Sequence, residues 1–507
     1  MKKIIYTILA ITLATTLWGQ TVRTSYFMDK YTNRHQRNPA LTPAWGYVNI
    51  PVAGNIHLGL QTNMRLSNYL FPDETKSGQL RLFAHPDVNS DDFLNRIGKR
   101  GEHLNVDVNV GILSFGFYTN NDHFWSFDWN LRANAGMNLP RDFVGFLDLK
   151  NLELGTGKTY NFKDLNVAGR AYNEFAFGHA RDINEDLRVG GKLKFLIGHA
   201  DVRAMVDDLT ISTTPDVWKI TTHASGSVLG NLSLFRDSAG IIKGLDTAMF
   251  ENFEIRDLLG GFGGAIDLGM SYSLDNLLGN LFPSLPLHGF TVSFGLTDLG
   301  FIRYKNSTQA QNRGGQVMHD ISTIVAWYED SLRTFDFNAL KDQAMNMLEL
   351  RTVPSAGAVS RGLRTTTNLG LEYSFLDNKM SAGVLWSTYF GLPKRFSEIT
   401  LSYNLRPANW FALSLSSSIA HGFFRSAGWA MNFTPKYGLN LFIGMDYIPF
   451  AWTPKWDLIG VGLPIYTTNI NVNFGLSVPL GRNRYHKHIT DRVDAFGSFM
   501  ERSVATE

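Results

Sequence analysis

The stretch Trp125–Leu139, WSFDWNLRANAGMNL, decides how the chain is read. Its odd positions are Trp125, Phe127, Trp129, Leu131, Ala133, Ala135, Met137 and Leu139. Its even positions are Ser126, Asp128, Asn130, Arg132, Asn134, Gly136 and Asn138. Successive side chains of a strand point to opposite faces, so this segment has one apolar and one polar face. Strands of ordinary sheets run to about 5–6 residues, whereas a tilted strand crossing a bilayer needs about 9–11. The alternation here lasts fifteen residues. It opens on a tryptophan, a residue type that marks the membrane interface of such proteins. The spacing predicts a membrane-spanning strand of a closed β-barrel.

Upstream, Asn105–Tyr118 forms the partner arm of a hairpin through Thr119-Asn120-Asn121-Asp122, turn-forming residues between two alternating runs. Ile56, Leu58, Leu60, Met64 and Leu66 give a further strand, and residues 165–181 a poorer one. Leu187, Val189, Leu193, Phe195 and Ile197 oppose Arg188, Lys192 and Lys194; Ile266, Leu268, Met270 and Tyr272 oppose Asp267, Gly269 and Ser271. Phe290, Val292, Phe294 and Leu296 oppose Thr291, Ser293, Gly295 and Thr297. From Thr365 to Leu480 strands follow one another closely, through short turns expected on the periplasmic side. The expectation is an all-β fold: a transmembrane antiparallel barrel of about 14 strands over residues 47–480. A lipid-facing Arg or Lys at the bilayer midplane costs about 2–4 kcal/mol. Arg132, Arg188, Lys192, Lys194 and Asp267 are therefore expected to face the lumen.

Composition agrees. Hydrophobic residues make up 44% and aromatics 13% of 507 residues, with 47 glycines, as suits strands whose other face meets water. Net charge is +2, which gives no reason to expect nucleic acid as a partner. Residues 1–20 read as a signal peptide: Lys2 and Lys3, an apolar run from Ile4 to Leu17, then small Gly19. No cysteine is present, so disulfides, thiolate metal sites and lipidation at an N-terminal cysteine are excluded. Residues 21–46 are polar and irregular and are expected to form a lumen segment. Ser90–Ile97 predicts a short capped helix in an external loop. Two polar strands near 205–213 and 217–225 are expected to extend the barrel above the membrane. The alternation lapses over 305–362, where 317–350 reads as a partly helical insert. Residues 481–507 form a C-terminal tail.

No catalytic residue, metal set or cofactor motif emerges. Gly261-Phe262-Gly263-Gly264 precedes a strand rather than a helix, unlike a phosphate loop. His486-Lys487-His488 sits in a basic tail, and His57, His179 and His199 lie on strands. Ser414, Ser416 and Ser418 share one face without an evident base. The chain is therefore read as a non-enzyme.

Four segments in order carry a resemblance: RNPALTP (Arg37–Pro43), LRVGGKLKFLIG (Leu187–Gly198), AIDLGMSYSL (Ala265–Leu274) and LTDLGFIRY (Leu296–Tyr304). Together they resemble an uncharacterised family of Bacteroidetes-type outer-membrane barrels, related to the long-chain fatty-acid transporter (FadL-like) barrels. The resemblance implies fourteen strands, outer-membrane lipid around them, and a hatch whose Asn-Pro-Ala lies in the lumen. Asn38, Pro39 and Ala40 match that triplet and are the gate candidates. The implied function is passive transport of hydrophobic or amphipathic small molecules, through an apolar pocket and past the hatch. Asn-Pro-Ala also occurs in barrels attached to type IX secretion machinery. A structural barrel that binds a periplasmic or secretion partner is thus the alternative, and a barrel enzyme a third reading.

Overall fold

Two-faced strands of this length must put their polar faces together and leave their apolar faces to lipid. The computed structural model does this. It describes residues 22–72, 80–83, 87–97, 99, 101–120, 122–146, 159–213, 217–232, 234–238, 240–246, 258–281, 288–312, 316–320, 350–354, 357–391, 395–420, 423–435, 438–448 and 469–481. Fourteen antiparallel strands close into a barrel. They are β1 (Gly46–Asn49 and Ile56–Thr62), β2 (Glu102–Thr119), β3 (His123–Leu139), β4 (Thr159–Asp182), β5 (Leu187–Thr213), β6 (Gly261–Ser273) and β7 (Phe290–Tyr304). They continue as β8 (Val359–Gly362 and Thr365–Phe375), β9 (Met380–Phe390), β10 (Phe396–Ala408), β11 (Phe411–Ala420), β12 (Phe423–Phe433), β13 (Asn440–Met445) and β14 (Ile470–Leu480). β1 closes the ring by pairing on one side with β2 (Ile56↔Val110) and on the other with β14 (Ile56↔Phe474). Its break at residues 50–55 stays stitched: Ile50 N donates to Leu476 O and Leu476 N to Ala53 O.

Burial is inverted relative to a soluble protein. Leu193 and Phe177 on the outside are 69% and 61% exposed, while Asp128 and Asn473 inside are 0% exposed. In water such an apolar surface would cost about 25 cal/mol per Å²; against lipid tails that cost vanishes. Trp129 is on the outer face, its indole donating to Asn173 at 3.2 Å. Aromatic pairs ring the short-turn end, with Phe290 against Tyr373 at 4.5 Å and Trp410 against Phe433 at 5.4 Å, the girdle expected at an interface. The turns 183–186, 376–379 and 409–410 gather there; the described parts of the longer connections after β1, β5 and β7 stand at the other end.

β5 outruns the wall. Residues 187–198 pair with β6, whereas 200–213 pair with Val217–Gly230. Ser307–Gln311 and Gln316–Asp320 pair with that strand, and Arg351–Val353 with Ser307–Gln311. The result is an external sheet, with a core that includes Phe162, Leu209, Ile211 and Leu350. This corrects the expected insert: Gln316–Asp320 is strand, not helix, because it covers the edge of Val217–Gly230, which would otherwise be left unpaired. Residues 321–349 lie outside the described residues. Val359–Gly362 pairs with β7 and belongs to the wall. The poorer strand expected at 165–181 spans Thr159–Asp182, since β3 pairs with one part and β5 with all of it. The strand ending at Leu66 stops at Thr62, and Leu66–Tyr69 is a helical turn. The helix Ser90–Arg96 is capped by Asn89, whose side chain accepts from the Asp91 and Asp92 N–H groups. The glycine-rich Gly261–Gly264 is itself strand. The leader and His486–His488 lie outside the described residues.

Candidate functional site

A ring of polar faces needs a polar filling, because unpaired buried polar groups cost free energy. Residues 22–45 supply it, threading the lumen with most side chains buried. The first anchor lies toward the long-loop end. Arg23, 2% exposed, is 3.0 Å from Glu398 and 3.5 Å from Asp446. The Asp446 carboxylate also accepts from the backbone N–H groups of Arg23 and Thr24, at 2.8 and 2.9 Å. A second anchor lies at the short-turn end, where Arg406 bridges Asp29 at 3.2 Å and Glu372 at 3.1 Å. Between them Asp128 on β3 ties the segment to the wall. It accepts from Gln36 at 3.2 Å, Ser114 at 2.7 Å and Lys192 at 2.7 Å.

Asn38-Pro39-Ala40 sits in a trough. Gly190, Gly269 and Gly295 come from β5, β6 and β7, yet pair directly: Gly269↔Gly190 and Gly269↔Gly295. A Cβ on Gly269 would stand 2.1 Å from Asn38 Oδ1; one on Gly190, 2.5 Å from the Pro39 carbonyl carbon; one on Gly295, 2.6 Å from Arg37 O. The Asn38 amide donates to Met270 O at 3.3 Å and to the Tyr26 hydroxyl at 3.2 Å, and its Oδ1 accepts from Ala40 N at 3.0 Å. The triplet is thus a self-braced turn seated on three residues without side chains. Each glycine is visible in the sequence on the polar side of a strand, but only the register aligns them.

Above this segment lies a cavity of about 90 Å³, with Gln36 and Arg37 among its lining. Arg132 grips Asp298 through two bonds of 2.8 and 2.9 Å and reaches Glu174 at 2.7 Å. Lys194 lies 2.6 Å from Asp298, 2.8 Å from Asp267 and 3.3 Å from Glu174. Buried charges persist only when paired this closely. The structure therefore brings Arg132, Lys194 and Asp267 into one cluster and sets Lys192 beside it on Asp128. Arg188 lies apart at the short-turn end, pairing with Asp182 and donating to Thr42 at 2.7 Å. The expected apolar pocket is corrected: this cavity is charged, because the inward positions of the surrounding strands are polar. Ser414 and Ser416 bond to Thr24, at 2.8 and 2.6 Å, which gives them a structural use. Among the described residues no group of three His, Cys, Asp or Glu could hold a metal.

Asp298 escaped the sequence reading, since strict alternation from Phe290 would send it to lipid. The register with β6 slips between Ile266 and Leu268, and Asp298 has φ +61°. This bulge brings both Thr297 and Asp298 to the cavity and returns Leu299 and Phe301 to the outside. Glu174, Arg364, Glu398 and Asp446 were also missed; each is a single charge whose partner is distant in sequence.

The model of a family described as a family of unknown function (DUF5723) matches residues 39–446. The chain belongs to this family. The match begins at Pro39, inside the seated triplet, and ends at Asp446, in the Arg23 anchor. No curated protein matches the chain. Among solved structures it is similar to the P. putida toluene transporter TodX, at 9% identity, over 90% of this chain and 94% of that one, with a TM-score of 0.36. It is similar to the Ralstonia pickettii toluene transporter TbuX, at 8% identity, over 92% and 97%, with a TM-score of 0.37. A Pseudomonas aeruginosa FadL homologue aligns at 9% identity, over 91% and 99%, with a TM-score of 0.35.

Proposed function

We propose that the protein is a gated transport barrel of the outer membrane, exported by its leader. It would pass small amphipathic molecules down their gradient, with residues 22–45 as the gate and Asn38-Pro39-Ala40 as its seat. One observation carries this reading: the lumen is filled by residues 22–45, which beyond their peptide link to β1 hold the wall, among the described residues, through hydrogen bonds, ion pairs and packing, all reversible. Of the hydrophobic and amphipathic cargo expected, the charged vestibule favours molecules that carry a polar group. Flux of a labelled short-chain fatty acid into liposomes tests it, comparing the full mature chain with one lacking residues 21–43. Removal of the gate should raise the rate about tenfold or more, the effect of losing a few kcal/mol of closure. Equal rates would remove the gating role.

The external sheet favours a second reading. A sheet with its own core, standing beyond the membrane belt, suits a barrel that docks a secretion partner. Crosslinking in cells from residues 307–311 should then trap a protein. Recovery of lipid alone would count against it.

A further inference from the structure

The vestibule's carboxylates and its donors differ in how fully they are paired. Asp298 and Glu174 are taken by Arg132 and Lys194, and Asp267 by Lys194 and the Asp298 backbone N–H at 2.7 Å. On the facing wall Arg364 uses one end only. Its Nη1 donates to Asp107 at 2.8 Å, and its Cζ lies 5.0 Å from the Tyr389 ring centroid. Its Nε and Nη2 are buried with no hydrogen-bond partner among the described residues. Those two nitrogens form one edge of the guanidinium, the edge that grips a carboxylate or phosphate with two parallel bonds.

A second donor lines the same cavity. His57 is 1% exposed. Its Nδ1 is 3.2 Å from Asn473 Nδ2, whose orientation is set by Tyr31 donating to Asn473 Oδ1 at 3.2 Å and by donation to Asn55 Oδ1 at 3.0 Å. An amide nitrogen only donates, so Nδ1 accepts and Nε2 carries the hydrogen. Nε2 also has no partner among the described residues. The register pairs His57 with Asn109 and Gly59 with Asp107. The carboxylate that holds Arg364 is thus two residues from His57's neighbour, about 7 Å along the strand. Asn109 lines the gap with an Oδ1 that is unpaired among the described residues, and its amide offers an NH₂ group when turned.

We propose that the vestibule binds a compact hydrophilic oxyanion, a carboxylate or phosphate group, between the Arg364 edge and His57 Nε2–H. The carboxylates Glu174, Asp267 and Asp298 are already committed to cations, and these donors are unpaired among the described residues, so the site takes an anionic acceptor. An alkyl chain finds no seat, because the lining is mostly polar or charged. This deepens the transport reading by naming what the barrel recognises, and rests on that reading only for its purpose.

The test is equilibrium dialysis of the full mature chain in nanodiscs with radiolabelled inorganic phosphate, acetate or hexanoate, and choline as the cationic control. Saturable binding of phosphate, acetate or both is expected, with no binding of choline. Which anion binds identifies the group read, and hexanoate should match acetate within about threefold, since a tail without a seat adds little. Arg364→Gln should weaken binding about tenfold or more, the scale of a charge-assisted pair. Arg364→Lys, which keeps the charge but loses the two-pronged edge, should recover only part. His57→Phe should weaken binding severalfold. Heat-dependent gel mobility reports that each variant is folded. Absence of saturable binding by the unaltered chain, unchanged binding in both Arg364→Gln and His57→Phe, or hexanoate binding tenfold tighter than acetate would overturn the proposal. Dialysis is blind to flux. A chain that binds anions but carries no flux sinks the transport reading alone, one whose flux is equal with and without residues 21–43 loses only the gating role, and one that transports but binds no anion sinks this inference alone.

Discussion

Gly269 shows how one missing side chain makes room for the segment that fills the lumen. Its missing side chain leaves room for Asn38, Pro39 and Ala40. Gly269→Val puts carbon where the Asn38 side-chain oxygen sits, and overpacking of this kind costs about 1–3 kcal/mol. Because the strand itself tolerates valine, the barrel should persist while the segment is displaced. Planar-bilayer conductance should rise about tenfold, with heat-dependent gel mobility retained. Asp298 tests the charged cluster. Asp298→Leu leaves Arg132 and Lys194 short of a carboxylate, and breaking a buried pair costs about 3–5 kcal/mol. The guanidinium midpoint of the refolded protein should fall accordingly. Adding Arg132→Met should restore part of the loss, as a double-mutant cycle reads directly.

At the scale of the strand, the two faces obey opposite rules. Leu193 and Lys192 are neighbours in β5; one is 69% exposed on the outside and the other 4% exposed within. Leu193→Arg should destabilise the protein by about 2–4 kcal/mol in lipid vesicles. Lys192→Met should act through the plug instead: Asp128 loses its cation at 2.7 Å and Gln36 its settled partner, so the segment becomes cleavable by added protease. Alternation alone made this opposition readable in β3, β5 and β6. It failed where a strand carried a bulge, as at Asp298, or gained its order from pairing, as at Gln316–Asp320. Neither a register slip nor a partner strand leaves a periodic mark in the segment concerned.

Over the whole molecule, the closure of the barrel and the filling of its lumen rest on different residues. The seam is made by β1 with β2 and β14, all outside residues 22–45, so the mature chain lacking 21–43 should still refold into vesicles and resist protease. Likewise Leu209→Asp, in the core of the external sheet, should open that sheet to proteolysis and leave liposome flux unchanged. The amino-acid sequence alone determined the membrane barrel, its approximate strand number, and the polar side on which Arg132, Lys192, Lys194 and Asp267 stand. These follow from local alternation and from the cost of charge in hydrocarbon. Only the tertiary structure decided which charges meet, that three glycines form one trough, and that Arg364 and His57, lining one cavity, have donors unpaired among the described residues. Those facts depend on register around a closed ring, where residues far apart in the chain become neighbours.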